Sequence, residues 1–334
     1  ATDATNTLSI EEKSGDTATV NPNSYELYTC WVHNGYVTLK DFTIGAPTSI
    51  AVRYESGGNN GTISGNGISS TTSWMIQIAG ASCVVSGNTL SGYHGVNVTG
   101  GSIQIKGNKI GMTYTTTSRG IYLQSGGSSA KVSNNMIYHT GTGTSDLRAL
   151  QIDSGGNEVY YNSIYMQCTD VNNNATSNTN YGIVFNNATG LTTFKNNIIY
   201  GIADGFDPGD NAYVYDLYIA AGTQGVHFVS DYNDFYRYLV DTYADVYTGY
   251  YTPSARQLIT DWQTATSQDA NSLQVNPLFT SGTDHHIGAD SPVRGMGVDL
   301  SGSGYTVDYD GATRHATQPD MGSDDLAISG AGAM

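Results

Sequence analysis

The chain reads as an all-β parallel solenoid, and three observations predict it. First, an asparagine followed two residues later by a large apolar residue returns as Asn66/Ile68, Asn88/Leu90, Asn108/Ile110, Asn135/Ile137, Asn162/Ile164, Asn197/Ile199 and Asn233/Phe235. Second, successive asparagines are 22, 20, 27, 27, 35 and 36 residues apart, as expected where the coil-forming residues stay constant and one loop per turn lengthens. Third, 41 glycines and only 13% charged residues, with abundant Asn, Ser and Thr, suit strands and turns rather than helices.

From the N-terminus, residues 1–34 read as irregular strands around 24–32, forming an opening rung or cap. The coils run over 35–238. Three residues before each asparagine stand Ile63, Val85, Ile105, Val132, Val159, Phe194 and Ser230, an inward column broken only at its end. One residue further on, Ser64, Ser86, Lys106, Ser133, Tyr160, Lys195 and Asp231 fit outward positions. A second strand family precedes the first in each coil, as Ile76/Ile78, Val96/Val98, Ile121/Leu123, Leu150/Ile152 and Ile183/Phe185, with Gly-rich turns between the two. Stacked coils lie about 4.8 Å apart, so Asn66, Asn88, Asn108, Asn135, Asn162, Asn197 and Asn233 are expected to form a structural hydrogen-bonded ladder rather than a ligand site. Residues 239–334 hold a tyrosine-rich segment, a helix over about 254–266 and a tail of short strands packed on the solenoid. The helix rests on a capping-box pattern, Ser254 with Gln257, and an apolar face of Leu258, Ile259 and Trp262. Residues 329–333 are small and read as a linker.

Composition narrows the partners. A net charge of −16 with only 13 scattered Lys and Arg argues against nucleic acid or an anionic membrane surface. No apolar run reaches the roughly 18 residues of a membrane span, so no insertion is expected. Cys30, Cys83 and Cys168 are too few and too scattered for a disulfide framework or a metal motif, and buried packing is expected of them. Sequons at Asn60, Asn97, Asn174 and Asn187 carry weight only in a glycosylating host. The start at Ala1 reads as a processed secretory product or an excised piece, and the location expected is extracellular or cell-surface.

The stretches Asp231-Tyr-Asn-Asp-Phe-Tyr, Asp261-Trp-Gln, Gln268-Asp-Ala-Asn-Ser, Asn276-Pro-Leu-Phe, Asp290-Ser-Pro, Asp308-Tyr-Asp-Gly-Ala-Thr-Arg and Pro319-Asp-Met-Gly-Ser-Asp resemble the C-terminal part of bacterial secreted proteins of the pectate-lyase-like superfamily. With the coils, the resemblance covers nearly the whole chain. It implies a right-handed parallel β-helix and secretion more than any activity, because such tails occur in cell-surface proteins as well as enzyme-like ones. Met321 and Ser323 depart from the Ile and Ala more usual there.

Candidate sites gather where coils vary. The long insertions 111–118, 139–147, 166–180 and 201–212 all follow the asparagine phrase, so they project from one edge. Just before them stand Tyr138, Tyr165, Tyr200 and Tyr236, a column that either stacks on sugar faces as a substrate-binding set or anchors the loops. Just after them stand Trp74, His94, Arg119, Arg148 and Tyr181. Arg119 and Arg148 suit β-elimination on a uronic-acid polymer, one neutralising the carboxylate and the other, or His139 or Lys131, taking the α-proton, or else they pair with acids such as Asp146 and Asp153. Glycoside hydrolysis would require aspartates clustered on neighbouring strands, which the pattern lacks. No cofactor is implied. Calcium at Asp308 and Asp310, or a metal at Asp204, Asp207 and Asp210, is the alternative to a tail tied by Arg314 and a solvated loop.

Three functions follow. The leading expectation is a structural or adhesive surface module, a non-enzyme whose partners are further copies stacked end to end in a filament or sheath, or neighbouring modules. The others are a polysaccharide lyase using Arg119 and Arg148, with His139 as a base, and a non-catalytic carbohydrate-binding module using the tyrosines.

Overall fold

The computed structural model describes residues 8–11, 19–20, 28–34, 37–46, 50–57, 60–80, 82–113, 117–126, 129–139, 146–169, 178–186, 190–204, 212–220, 227–239, 244–251 and 254–326. In them the chain winds as a parallel β-helix with three strands per coil. The first face stacks short strands that precede the asparagine, among them Val84–Ser86, Gln104–Lys106, Lys131–Ser133 and Glu158–Tyr160. The second face follows the asparagine, as in Lys109–Met112, Met136–His139 and Ser163–Thr169. The third follows the loop edge, as in Ser118–Leu123, Leu147–Ile152 and Asn178–Phe185. Where no loop intervenes, one strand bends through both faces, as in Gly67–Ile78 and Thr89–Val98. The apolar residue after each asparagine therefore belongs to a strand family of its own, one more than the sequence pattern separated.

The bend that creates the ladder has a backbone cause. The residue before each asparagine is left-handed: Gly65, Gly87, Gly107, Asn134, Tyr161, Asn196 and Tyr232 have φ between 54° and 66°. Glycine and asparagine take this conformation at little cost, which explains the Gly-Asn and Asn-Asn pairs. Each asparagine Nδ2 then donates to the Oδ1 of the next, at 3.0 Å for Asn66 to Asn88 and 2.9 Å for Asn88 to Asn108, Asn108 to Asn135 and Asn135 to Asn162. The ladder continues at 3.0 Å from Asn162 to Asn197 and from Asn197 to Asn233. The same Oδ1 accepts a backbone N–H, so buried amides are satisfied without water.

The inward column Ile63, Val85, Ile105, Val132, Val159 and Phe194 is at most 1% exposed and belongs to one core that runs from Val32 to Trp262. Ser230, its polar exception, marks the end of the rod. Its hydroxyl donates to Asp269 Oδ1 at 2.8 Å, and Asp269 also accepts from Ser272 Oγ at 2.7 Å and Trp262 Nε1 at 2.7 Å. Ser272 Oγ accepts the Asn233 N–H at 2.8 Å, taking the place of a further asparagine. Trp262 is fully buried in the end of the core. Gly249 makes room for it, since a Cβ there would lie 2.4 Å from the indole.

Both ends of the coil region and the helix compare with the sequence pattern as follows. At the N-terminal end the expected opening rung is made by Leu8–Glu11, Thr19–Val20 and Tyr28–Asn34, which pair in parallel with Val37–Lys40, Thr43–Ala46 and Ile50–Gly57. The third face runs past residue 238 to Ala244–Tyr251. The helix is Ile259–Thr266 with Leu258 at its N-cap and no side-chain cap, because Ser254–Arg256 instead pairs antiparallel with Tyr251, Tyr250 and Gly249. The expectations at Asp207 and Asp210, the side chains of Asp204 and Cys168, the sequons at Asn174 and Asn187, and 329–333 fall outside the described residues.

Candidate functional site

The second-face tyrosines do line up: Tyr138 pairs with Tyr165, Tyr165 with Tyr200, and Tyr200 with Tyr236. Tyr165 and Tyr200 meet edge to face at 5.1 Å, and Tyr200 and Tyr236 at 4.8 Å. Among the described residues they pack against the tail. The tail hairpin of Phe279–Ser281 and Asp284–Ile287 lies against them, with His285 6.2 Å from Tyr138 and 6.0 Å from Tyr165, and Phe279 6.2 Å from Tyr200. A Cβ on Gly282 would stand 2.8 Å from the Tyr165 ring. His285 is fully buried with Nδ1 2.9 Å from Ser163 O, and burial holds it down to about 4.

Arg314 ties this tail down, though through Asn134, backbone carbonyls and Asp325 rather than through Asp308, Asp310 and Asp320. It is 5% exposed, lies 3.8 Å over the Tyr161 ring, and its Nη2 donates to Asn134 Oδ1 at 2.9 Å and to the carbonyls of Gly322 and Ser323. Asp325 faces its Nη1 at 3.6 Å. Met321 and Ser323 also have partners. Met321 packs with Ile198, Ile287 and Val293, and Ser323 Oγ donates to Ser163 Oγ at 3.0 Å. Asp308 and Asp310 diverge: Asp308 Oδ1 accepts the Ala312 N–H at 2.8 Å, whereas Asp310 faces His286.

The third face is different. Its outward residues stack in register as Trp74, His94, Arg119, Arg148, Tyr181, Tyr215 and Tyr247, and a second row runs through Tyr122, Gln151, Val184, Tyr218 and Tyr250. Over seven coils this strip is on the order of 30 Å long. The turn into the core behind it is made by Gly95, Gly120 and Gly182, where a Cβ would lie 2.1, 2.5 and 2.7 Å from a carbonyl oxygen of the next coil. That close approach sets the recurring phrase of a large outward residue, glycine, then an inward apolar residue.

The rings lie nearly flat on one another along the axis: Trp74 on His94 at 4.4 Å, Tyr181 on Tyr215 at 5.7 Å, Tyr215 on Tyr247 at 5.2 Å and Tyr218 on Tyr250 at 4.7 Å. Arg148 lies 5.6 Å over Tyr181, and Arg119 5.2 Å over Tyr122. Gln151 Oε1 accepts from Arg119 Nε at 2.6 Å and from Arg148 Nη1 at 2.9 Å. Its amide donates to Asp153 at 3.1 Å, which also accepts from Tyr122 Oη at 2.6 Å. Arg148 pairs with Asp146 as well. Burial, then Asp153, pushes Tyr122 up to about 12, and burial pushes Tyr181 to about 12, so both hydroxyls keep their protons.

This arrangement does not assemble an elimination site among the described residues. His139 is fully buried on the second face, with Nδ1 3.0 Å from Gln167 O, because it occupies the inward position shared by Met112 and Met166. Lys131 pairs with Glu158 at 3.3 Å on the first face. His94 is nearer, but its Nδ1 accepts the Arg119 backbone N–H at 3.1 Å, and burial followed by Arg119 lowers it to about 4. Its remaining nitrogen therefore carries a proton at neutral pH and donates. Tyr122, Tyr215, Tyr218, Tyr247 and Tyr250 were missing from the sequence reading. Tyr215 and Tyr247 were findable, since each stands two residues before an inward position in the same register.

No protein-family model matches the chain, and no curated protein matches it.

Proposed function

We propose that the chain is a non-catalytic, extracellular polysaccharide-binding solenoid that receives an extended glycan along its third face. The observation that carries this reading is the uninterrupted outward strip of Trp74, His94, Arg119, Arg148, Tyr181, Tyr215 and Tyr247, flanked by Tyr122, Tyr218 and Tyr250. The rings are stacked face to face along the axis, so their edges and hydroxyls are what an extended sugar would meet. Arg119, Arg148, Gln151 and Asp153 supply donors and acceptors already oriented by one another. The tail from Asn276 onward makes its hydrogen bonds to the first and second faces and the bend between them, so it leaves this surface clear.

Stacking of copies end to end is less well supported at the C-terminal end. There the core is closed by Trp262 and the ladder is terminated by Asp269 and Ser272. The test is affinity electrophoresis and calorimetry against a panel of neutral and acidic polysaccharides. Binding that weakens in Tyr215→Ala and Arg148→Ala but persists in Tyr165→Ala supports the third face. Binding lost only in Tyr165→Ala, or release of unsaturated sugars absorbing near the ultraviolet edge, overturns it.

A further inference from the structure

Outside this face, the tail gathers a second group of chemically capable side chains. His286 Nε2, an Asp310 oxygen and an Asp324 oxygen all lie within 4.8 Å of one another. They come from separate segments: the Asp284–Ile287 strand, the turn after Asp308, and the stretch just before residue 326. His286 Nε2 is already 2.9 Å from Asp310 Oδ2. Two further features point to a ligand. Asp324 is only 5% exposed, and one of its oxygens accepts the Ile287 N–H at 2.9 Å. Asp284 takes the other ring nitrogen, Nδ1, of His286. A carboxylate on the far nitrogen is how proteins fix the tautomer and orientation of a metal-binding histidine.

We infer that His286, Asp310 and Asp324 form a site for a zinc-type divalent ion, with Asp284 orienting the imidazole. One imidazole nitrogen and two carboxylates are a borderline-soft donor set with room for a fourth ligand, and it suits zinc better than calcium, which takes six to eight oxygens. Three carboxylates facing one imidazole leave negative charge that Lys109 only partly offsets, since it acts on Asp284 from the neighbouring coil. The donors need to close by about 1 Å to reach ordinary zinc–ligand distances. Asp310, at 57% side-chain exposure, has the freedom to do so. Such an ion would staple three tail segments over the tyrosine column.

The full chain, stripped with chelator and dialysed, is titrated with zinc chloride and separately with calcium chloride by calorimetry, and retained metal is counted by mass spectrometry. One zinc per chain and a raised Tm are expected, with His286→Gln and Asp310→Asn each weakening binding at least tenfold. Asp284→Asn should weaken it about tenfold without changing the stoichiometry. Because Asp310 is exposed, Asp310→Asn carries the test if His286→Gln does not fold. No retained zinc, equal binding by Asp310→Asn, or a preference for calcium overturns the proposal.

Discussion

Two aromatic columns run along the same rod, one on the second face and one on the third, and among the described residues only the first is covered by the tail. Tyr138, Tyr165, Tyr200 and Tyr236 meet one another edge to face and give their remaining surface to His285, Phe279 and Gly282. Tyr181, Tyr215, Tyr247, Tyr218 and Tyr250 lie in flat stacks beside two arginines. The first column is covered by the tail, whereas in the second the rings cover one another's faces and leave their edges and hydroxyls outward. A tyrosine row is thus not a binding surface by composition. What lies against it decides.

The comparison breaks most sharply at Arg314, which holds the cover on the second face. In Arg314→Ala, Asn134 Oδ1, two carbonyls and Asp325 lose a buried cationic partner. The expected loss is about 3–5 kcal/mol in urea unfolding, with early proteolysis of the tail and unchanged glycan affinity. A loss under about 1 kcal/mol would mean that the tail is held some other way. Tyr165→Ala is the next largest effect. It should destabilise by about 2 kcal/mol, below the full cost of a buried aromatic because the ring is only half-buried, and glycan affinity should stay the same. Weakened binding at unchanged stability would exchange the roles of the two faces.

On the third face the signs reverse. Tyr215→Ala and Tyr218→Ala should each weaken glycan binding by about 1 kcal/mol, roughly fivefold in Kd, while the urea midpoint moves little. Equal losses of stability and affinity in both variants would show that the strip is a structural stack.

How much of this was legible depends on how far apart the interacting residues lie in sequence. The ladder and inward columns recur every 20 to 36 residues, so the pattern of one coil predicts the next. Trp74, His94, Arg119, Arg148 and Tyr181 share that register and were found. Tyr122, Tyr218 and Tyr250 stand three residues further along the strand and face outward beside them, and one column read alone misses a face two columns wide. Asp216 stands where glycine stands in Gly182, which disguises the phrase around Tyr215. The cover over Tyr165 was illegible for a different reason: His285 bonds Ser163, 122 residues away, and Arg314 bonds Asn134, 180 away. No periodicity connects a single tail to a repeating body. The capping-box pattern at Ser254 misled because strand pairing to Tyr251 satisfies that backbone first.

A pH series separates charge from stacking on the third face. His94 is lowered to about 4 by burial and then by Arg119, against about 6.5 in an unfolded chain. Between those values the unfolded chain takes up a proton that the folded chain refuses, so this contribution is complete above the unfolded value and is lost as pH falls toward 4. Wild type should therefore lose about 2–3 kcal/mol between pH 7 and 4 relative to His94→Asn, whose side-chain oxygen can still accept the Arg119 N–H. Glycan affinity, measured from pH 8 down to 5, should stay level, because His94 remains uncharged and donating over that range while the tyrosines keep their protons. Affinity that climbs as pH drops below 6.5 would mean that a protonated His94 binds the glycan directly, and the strip would then act as a cationic surface rather than an aromatic one.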